Sequence, residues 1–164
     1  MIHDAQEQQL YFENAQVRVA GVPILYVPRL RLPDPNLSRA TGVLIPRFQQ
    51  STELGTGVKL PYFIALGDHA DLTVTPYISS ATRTVEYQYR QLLSRGEITF
   101  EGAVTDDSLE GGRGYFFGNA RYELPRGFVA TAQLEFVSDP GYLFAYDYSD
   151  KDRLTNELAL TRVR

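Results

Sequence analysis

The sequence predicts an all-β chain: an antiparallel meander of about eight strands, forming part of a transmembrane β-barrel and preceded by the end of a separate β-domain. Three observations predict it. Apolar and polar residues alternate with period two through one segment after another. The segments are longer than soluble strands usually are, and their connections alternate in length.

The alternation is explicit in four segments. Val85, Tyr87 and Tyr89 oppose Glu86, Gln88 and Arg90. Ile98, Phe100 and Val104 oppose Thr99 and Glu101. Phe116, Gly118, Ala120, Tyr122 and Leu124 oppose Asn119, Arg121 and Glu123. Phe128, Ala130, Ala132, Leu134 and Phe136 oppose Thr131, Gln133 and Glu135. A two-residue period is that of a strand with one buried or lipid-facing side, and no amphipathic helix competes with it. The strands read as 40–48, 54–66, 71–79, 84–93, 97–105, 113–124, 128–137 and 153–164. Most are about nine to twelve residues, the length a tilted membrane-spanning strand needs.

Tight turns are expected at 67–70, 94–96 and 125–127, and between them fall connections at 80–83, 106–112 and 138–152, the last two clearly longer. Outer-membrane barrels alternate short periplasmic turns with longer outer loops. Phe128 and Phe136 stand eight residues apart on one face, roughly 26 Å along a strand. That matches an apolar band of about 25 Å between aromatic girdles.

Composition narrows the function classes. With 43% hydrophobic residues the chain can bury a core and is not disordered by composition. Its net charge is −4 and no run of basic residues occurs, so no nucleic-acid partner is expected. It has no Cys. No apolar run approaches the roughly 18 residues of a transmembrane helix, and Met1–Glu7 lacks an apolar signal core. Leu158–Arg164 stops inside a strand-like pattern, which suggests a piece of a longer protein with its targeting signal upstream.

No catalytic or cofactor arrangement stands out. His3 and His69 are far apart in polar surroundings, without metal-ligand spacing. Asp106 and Asp107 read as solvated loop acids rather than a glycosidase pair. Gly111-Gly112-Arg113-Gly114 precedes a strand, whereas a phosphate-binding Gly loop opens a helix. Asp147, Asp150 and Asp152 read as solvated, with a divalent-ion site as the less favoured alternative. The chain is therefore expected to need no cofactor and to be no enzyme. The prolines draw more interest: Pro46, Pro61 and Pro76 each fall inside an expected strand, where each removes a backbone donor and marks either a bulge or strand end or a deliberately weakened pairing.

Residues 1–37 differ from the rest. Gln9–Val19 and Val22–Leu32 are strand-like but are interrupted by Pro23 and Pro28, and Pro33-Asp34-Pro35-Asn36 reads as a linker. The expected domains are thus 1–37 and 38–164. Here a family resemblance enters. Gly21-Val22-Pro23-Ile24-Leu25-Tyr26-Val27-Pro28, with Leu32-Pro33-Asp34-Pro35, resembles the junction between periplasmic β-jelly roll and barrel in the LPS-assembly protein LptD family. Arg39–Pro46, Gly55–Phe63 and Ala70–Pro76 resemble that family's first three barrel strands. The resemblance covers roughly residues 7–164 and is specific in combination; the later strands match in general character.

The resemblance implies an outer-membrane lipopolysaccharide translocon that delivers lipopolysaccharide from periplasm to outer leaflet. It implies lipopolysaccharide as cargo, a lipoprotein plug (LptE), a periplasmic bridge of similar jelly rolls (LptA-like) and outer-membrane lipid as partners. It also places Pro46 and Pro61 beside the lateral exit, as gate candidates. The family's interdomain cysteines have no counterpart here. Two alternatives stay open: a generic porin or barrel enzyme, and a soluble carbohydrate-binding β-sandwich that would need no detergent.

Overall fold

The computed structural model describes residues 2–4, 9–19, 22–33 and 41–162, with side chains for 41–162 and for Gln16. Most of the expected linker (34–36), residue 40, the last two residues and the side chain of His3 lie outside the described residues. The chain divides into two compact units, Met1–Val43 and Leu44–Arg164.

In the first unit, β1 (Ile2–Asp4), β2 (Gln9–Val19) and β3 (Val22–Pro33) form an antiparallel three-stranded sheet in that order. The β2–β3 register slips between Val17, opposite Leu25, and Arg18, opposite Pro23. A proline cannot donate to the ladder, and a bulge beside it accommodates the loss. The short strand β4 (Gly42–Val43) ends this unit.

The second unit is the meander. Its strands are β5 (Arg47–Ser51), β6 (Gly55–Lys59), β7 (Tyr62–Ala65), β8 (Ala70–Ser79), β9 (Thr82–Leu93), β10 (Gly96–Asp107), β11 (Gly111–Leu124), β12 (Phe128–Val137) and β13 (Glu157–Arg162). The order β13-β12-β11-β10-β9-β8-β6-β5 is antiparallel throughout, and β7 also pairs with β8. Sequence neighbours are neighbours in space, as period-two segments joined by tight turns require. Among the described residues the sheet is open, with β5 and β13 at its ends.

The long strands fall where alternation places them, β12 on the same residues and β8 to β11 within one or two residues at each end. Three expected strands are corrected: 153–164 begins only at Glu157, and two others hold a break. The segment 40–48 is broken at 44–46, and strand structure resumes at Arg47. The segment 54–66 is interrupted at Leu60–Pro61, between β6 and β7. In both, the break holds a proline, which ends a run of ladder bonds without ending the alternation.

The expected alternation of loop lengths is also corrected. The 80–83 loop contracts to Ser80–Ala81 and the 106–112 loop to residues 108–110, because β9, β10 and β11 extend further into their hairpins. Gly111, at φ 82°, supplies the left-handed residue that so short a turn needs. The 138–156 connection alone is long, and it contains one helical turn, α1 (Tyr142–Ala145).

Gly102 shows how closely the sheet is fitted. It pairs with Tyr87 across β9 and with Phe116 across β11. A Cβ here would run into the Tyr87 ring and the Tyr115 carbonyl oxygen. An aromatic ring laid over a strand glycine covers backbone that the glycine would otherwise expose. Gly102→Val should therefore overpack the site and cost about 1–3 kcal/mol. A lowered midpoint of urea unfolding would register this; an unchanged midpoint would mean that Tyr87 does not lie on Gly102.

Candidate functional site

The two faces of the meander differ in chemistry. Ile78, Val85, Val104, Leu134, Phe136, Leu158 and Leu160 project from one face, with Val104 66%, Phe136 56% and Leu158 80% exposed. Aromatic rings continue this face: Tyr89 stacks on Phe100 at 5.9 Å, and Phe100 meets Phe116 at 5.6 Å. In water such a surface costs free energy; in hydrocarbon it does not. The opposite face lines a concavity of 810 Å³ bounded by, among others, Arg47, Lys59, Glu86, Arg90, Glu101 and Tyr148.

Several charges on the concave face are matched locally. Asp71 and Arg90 face each other across β8 and β9, and the guanidinium grips both carboxylate oxygens at 2.9 and 3.2 Å. Lys59 Nζ lies 2.6 Å from Glu86 Oε1 and sits over the rings of Tyr77 and Tyr148. Arg113 is held by Asp107 at 2.6 Å and by Asp139 at 3.1 Å. A bidentate or doubly held guanidinium keeps its geometry where a single exposed ion pair would not.

The 138–156 segment does not stand away from the wall. It folds onto the concave face and buries Tyr142 (0% exposed), Leu143 and Tyr146 (1% exposed). Tyr146 donates to Asp107 Oδ2 at 2.7 Å, and its hydroxyl also meets Thr82 Oγ1 at 2.7 Å. From there a hydroxyl chain runs through Thr84 (2.9 Å) and Thr105 (2.8 Å) to Tyr142. Such chains polarise one another and leave little room for a missing member. Tyr148 donates to Glu86 Oε1 at 2.8 Å. The return to β13 is anchored on Glu135, 3% exposed, which takes the Lys151 ammonium and the Thr155 N–H.

The candidate prolines occupy distinct positions. Leu60 N–H donates to the Pro76 carbonyl at 3.0 Å, and β6 and β7 keep one register with β8 on either side of that bond. Pro76 sits within an unbroken β8, opposite Val85, but cannot return a bond to Leu60. Leu44 N–H donates to the Pro61 carbonyl at 2.8 Å, and Pro61 likewise cannot reply. Arg47 opposite Lys59 would put Leu44 opposite Tyr62, yet Leu44 bonds to Pro61. The register thus slips by one residue across Ile45–Pro46, which is a β-bulge on the first strand. Pro61 lines the concavity; Pro46 does not.

The other residues singled out by sequence do not converge. His69 is exposed in the β7–β8 turn. Asp106 is exposed while Asp107 is buried, so the adjacent pair points to opposite faces. Asp147, Asp150 and Asp152 are exposed. Among the described residues no group of His and carboxylates has the arrangement of a metal site. Asp107, Arg113 and Glu135 are the anchors that sequence reasoning missed. The available signal was three tyrosines, Tyr142, Tyr146 and Tyr148, in a nominally solvated loop.

Comparison with known proteins places this architecture. The family model described as LptD protein matches residues 10–98. The chain belongs to the LptD family. The match runs from β2 into the start of β10, so Pro46, Pro61 and Pro76 all lie inside it. An LPS-assembly protein LptD of Shewanella denitrificans is 30% identical over 159 residues, 93% of this chain and 20% of the relative. One from Yersinia enterocolitica is 28% identical over 160 residues, 95% of this chain and 20% of the relative. One from Salmonella typhimurium is 34% identical over 103 residues, 62% of this chain and 13% of the relative. The chain thus spans about a fifth of the length of the first two relatives.

The docked tyrosines give a pH signature to this LptD-family segment. Burial pushes Tyr142 up to about 12, and raises Tyr146 and Tyr148 as well, the latter also through the Glu86 charge. A raised tyrosine pKa favours the neutral form in the fold. Its contribution is fully present below the ordinary value of 10.0 and is lost as pH climbs through the folded value. The segment should therefore stay docked through neutral pH and lift off between about pH 10 and 12. Tyrosinate absorbance should show a late group that Tyr142→Phe diminishes. If all tyrosines titrated together near 10, the docking would be refuted.

Proposed function

We propose that this chain is a stretch of the outer-membrane wall of a lipopolysaccharide translocon, delivering lipopolysaccharide from the periplasm into the outer leaflet without catalysis. The observation that carries the reading is the two-faced wall: apolar residues on one side, paired charges and hydroxyls on the other, in a chain of the LptD family. The apolar face meets lipid, and the concave face lines the path of the sugar portion. A barrel wall satisfies its backbone internally, which is what a bilayer demands.

In this reading residues 1–37 end a periplasmic β-jelly roll that receives lipopolysaccharide from an LptA-like bridge, and an LptE lipoprotein plugs the complete barrel. The strand pair 42–51 and 55–65 runs out and back. The turns at 66–69, 94–95 and 125–127 then face the periplasm, and 80–81, 108–110 and 138–156 face outward. Thiol labelling of intact cells should reach cysteines placed at Ser149 or Asp150. Labelling at Arg126 instead would invert the model.

Pro46 and Pro61 act as gate residues: they weaken the first strand pair, beside the seam through which the lipid portion leaves sideways. The bulge at Ile45–Pro46 and the missing Pro61 donor support this. In the full-length protein, Pro61→Ala offers a donor toward Leu44, and that bond would contribute about 1 kcal/mol. Combined with Pro46→Ala it should slow surface delivery of lipopolysaccharide per folded barrel, while barrel abundance holds or rises. Cells should then admit more of a large antibiotic. Delivery that stays at its original rate would retire the gate assignment.

A further inference from the structure

The β5–β6 hairpin is thinly held by its own backbone. Beyond pairing with each other, β5 and β6 reach the rest of the wall through three ladder residues of β6, Gly57, Val58 and Lys59, opposite Ser79, Ile78 and Tyr77, with the Leu60 N–H to Pro76 bond and a bond from the Ser79 hydroxyl to the Leu54 carbonyl beside them. The Leu60–Pro61 interruption follows at once. A short ladder at the end of a sheet frays readily.

Side chains from far along the sequence compensate. Leu54, in the β5–β6 turn, is fully buried in one cluster with Tyr77, Tyr142 and Tyr146. Two of those three rings come from the 138–156 segment. Tyr148 of the same segment shares Glu86 Oε1 with Lys59, and its ring lies under the Lys59 ammonium, 5.5 Å from ring centre to Nζ. The segment is itself fastened at both roots: Asp139 to Arg113 as it leaves β12, and Lys151, Thr155 and Asn156 to Glu135 as it returns. It thus reaches from β12 across the concave face to the hairpin beside the proline break.

We propose that the 138–156 segment is a clasp: it holds the β5–β6 hairpin against β8 and β9 through Leu54 and Lys59, and lifting it frees that hairpin to separate. Contacts that span β12 to β6 thus add to the short ladder by which the hairpin meets β8. The link to lipopolysaccharide exit rests on the gate reading above; the clasp itself does not. The tyrosine hydroxyls and rings are the detachable part, since Lys59 keeps its ion pair with Glu86 when they go.

The test uses the full-length protein in membranes, with amide hydrogen exchange read peptide by peptide. Tyr146→Ala with Tyr148→Ala should raise exchange in residues 49–58 about tenfold or more, with the far halves of β10 and β11 (residues 96–101 and 119–124) unchanged as the sign of an intact wall. Tyr148→Phe, which keeps the ring and loses the Glu86 bond, should move the same residues in the same direction by less. Hairpin protection that holds while residues 142–148 exchange freely overturns the clasp. So does a hairpin that already exchanges at the unprotected rate without any substitution. Delivery of lipopolysaccharide in the same variants reports on the gate alone, so the two readings fail separately.

Discussion

A strand that faces hydrocarbon has no water to satisfy its peptide groups, so its hydrogen-bond ladder must be closed by neighbouring strands. Much else in this chain follows from that requirement. From β8 to β12 each register runs without a slip, twelve consecutive pairs between β9 and β10 and twelve between β10 and β11. Continuity of register keeps every second side chain on the same face, which separates the apolar band from the polar wall. A single slip inside this block would send Val104 and Phe136 to the concave side and Glu101 and Glu135 to the lipid side. The block is therefore constrained more tightly by its faces than by any individual contact.

The concave face solves a second problem, that of charge near a low-dielectric wall. Several of its ions are held in closed groups: Asp71 with Arg90, Glu86 with Lys59, Asp107 with Arg113 and Asp139, Glu135 with Lys151. Asp107 illustrates why. Its two oxygens take the Arg113 guanidinium, the Tyr146 hydroxyl and the N–H groups of Leu109 and Glu110. One buried carboxylate thereby shapes the β10–β11 turn, fixes Arg113 and receives the 138–156 segment. Removing Arg113 would leave Asp107 buried without its counter-charge, which costs more than the pair contributes, whereas Arg113 without Asp107 would keep Asp139.

Much of this was legible in the sequence, for a physical reason. Alternation reports which face a side chain occupies, and faces are what the wall conserves along each strand, so β12 was read on its own residues. The break at Leu60–Pro61 hid for the same reason. Lys59, Pro61 and Phe63 stay on one face across the break, so the pattern of 54–66 reads as one strand although its ladder is interrupted. The clasp was not legible, because its anchors are distant in sequence: Tyr148 to Glu86 spans 62 residues and Tyr146 to Thr82 spans 64. Asp107 was masked by Asp106, since two adjacent acids look alike until the pleat sends them to opposite sides.

The two gate candidates are not equivalent, and the ladder says how they differ. Leu60 directs its donor to β8, so its neighbours Lys59 and Pro61 direct theirs to the first strand. The donor that Pro61 lacks would thus have pointed at the first strand, toward Leu44. Arg47 faces Lys59, so the preceding residue, Pro46, points its missing donor away from β6, toward whatever strand lies beyond β5. Pro61 therefore weakens the bond inside the first strand pair, while Pro46 blunts that pair's outward edge. An edge strand carrying proline and a bulge pairs poorly with a newcomer. The edge defect and the internal defect fall on neighbouring strands, at the level where the Pro76 half-bond is also missing. Three prolines on three successive strands make one line of weakened pairing across the wall, ending at its edge.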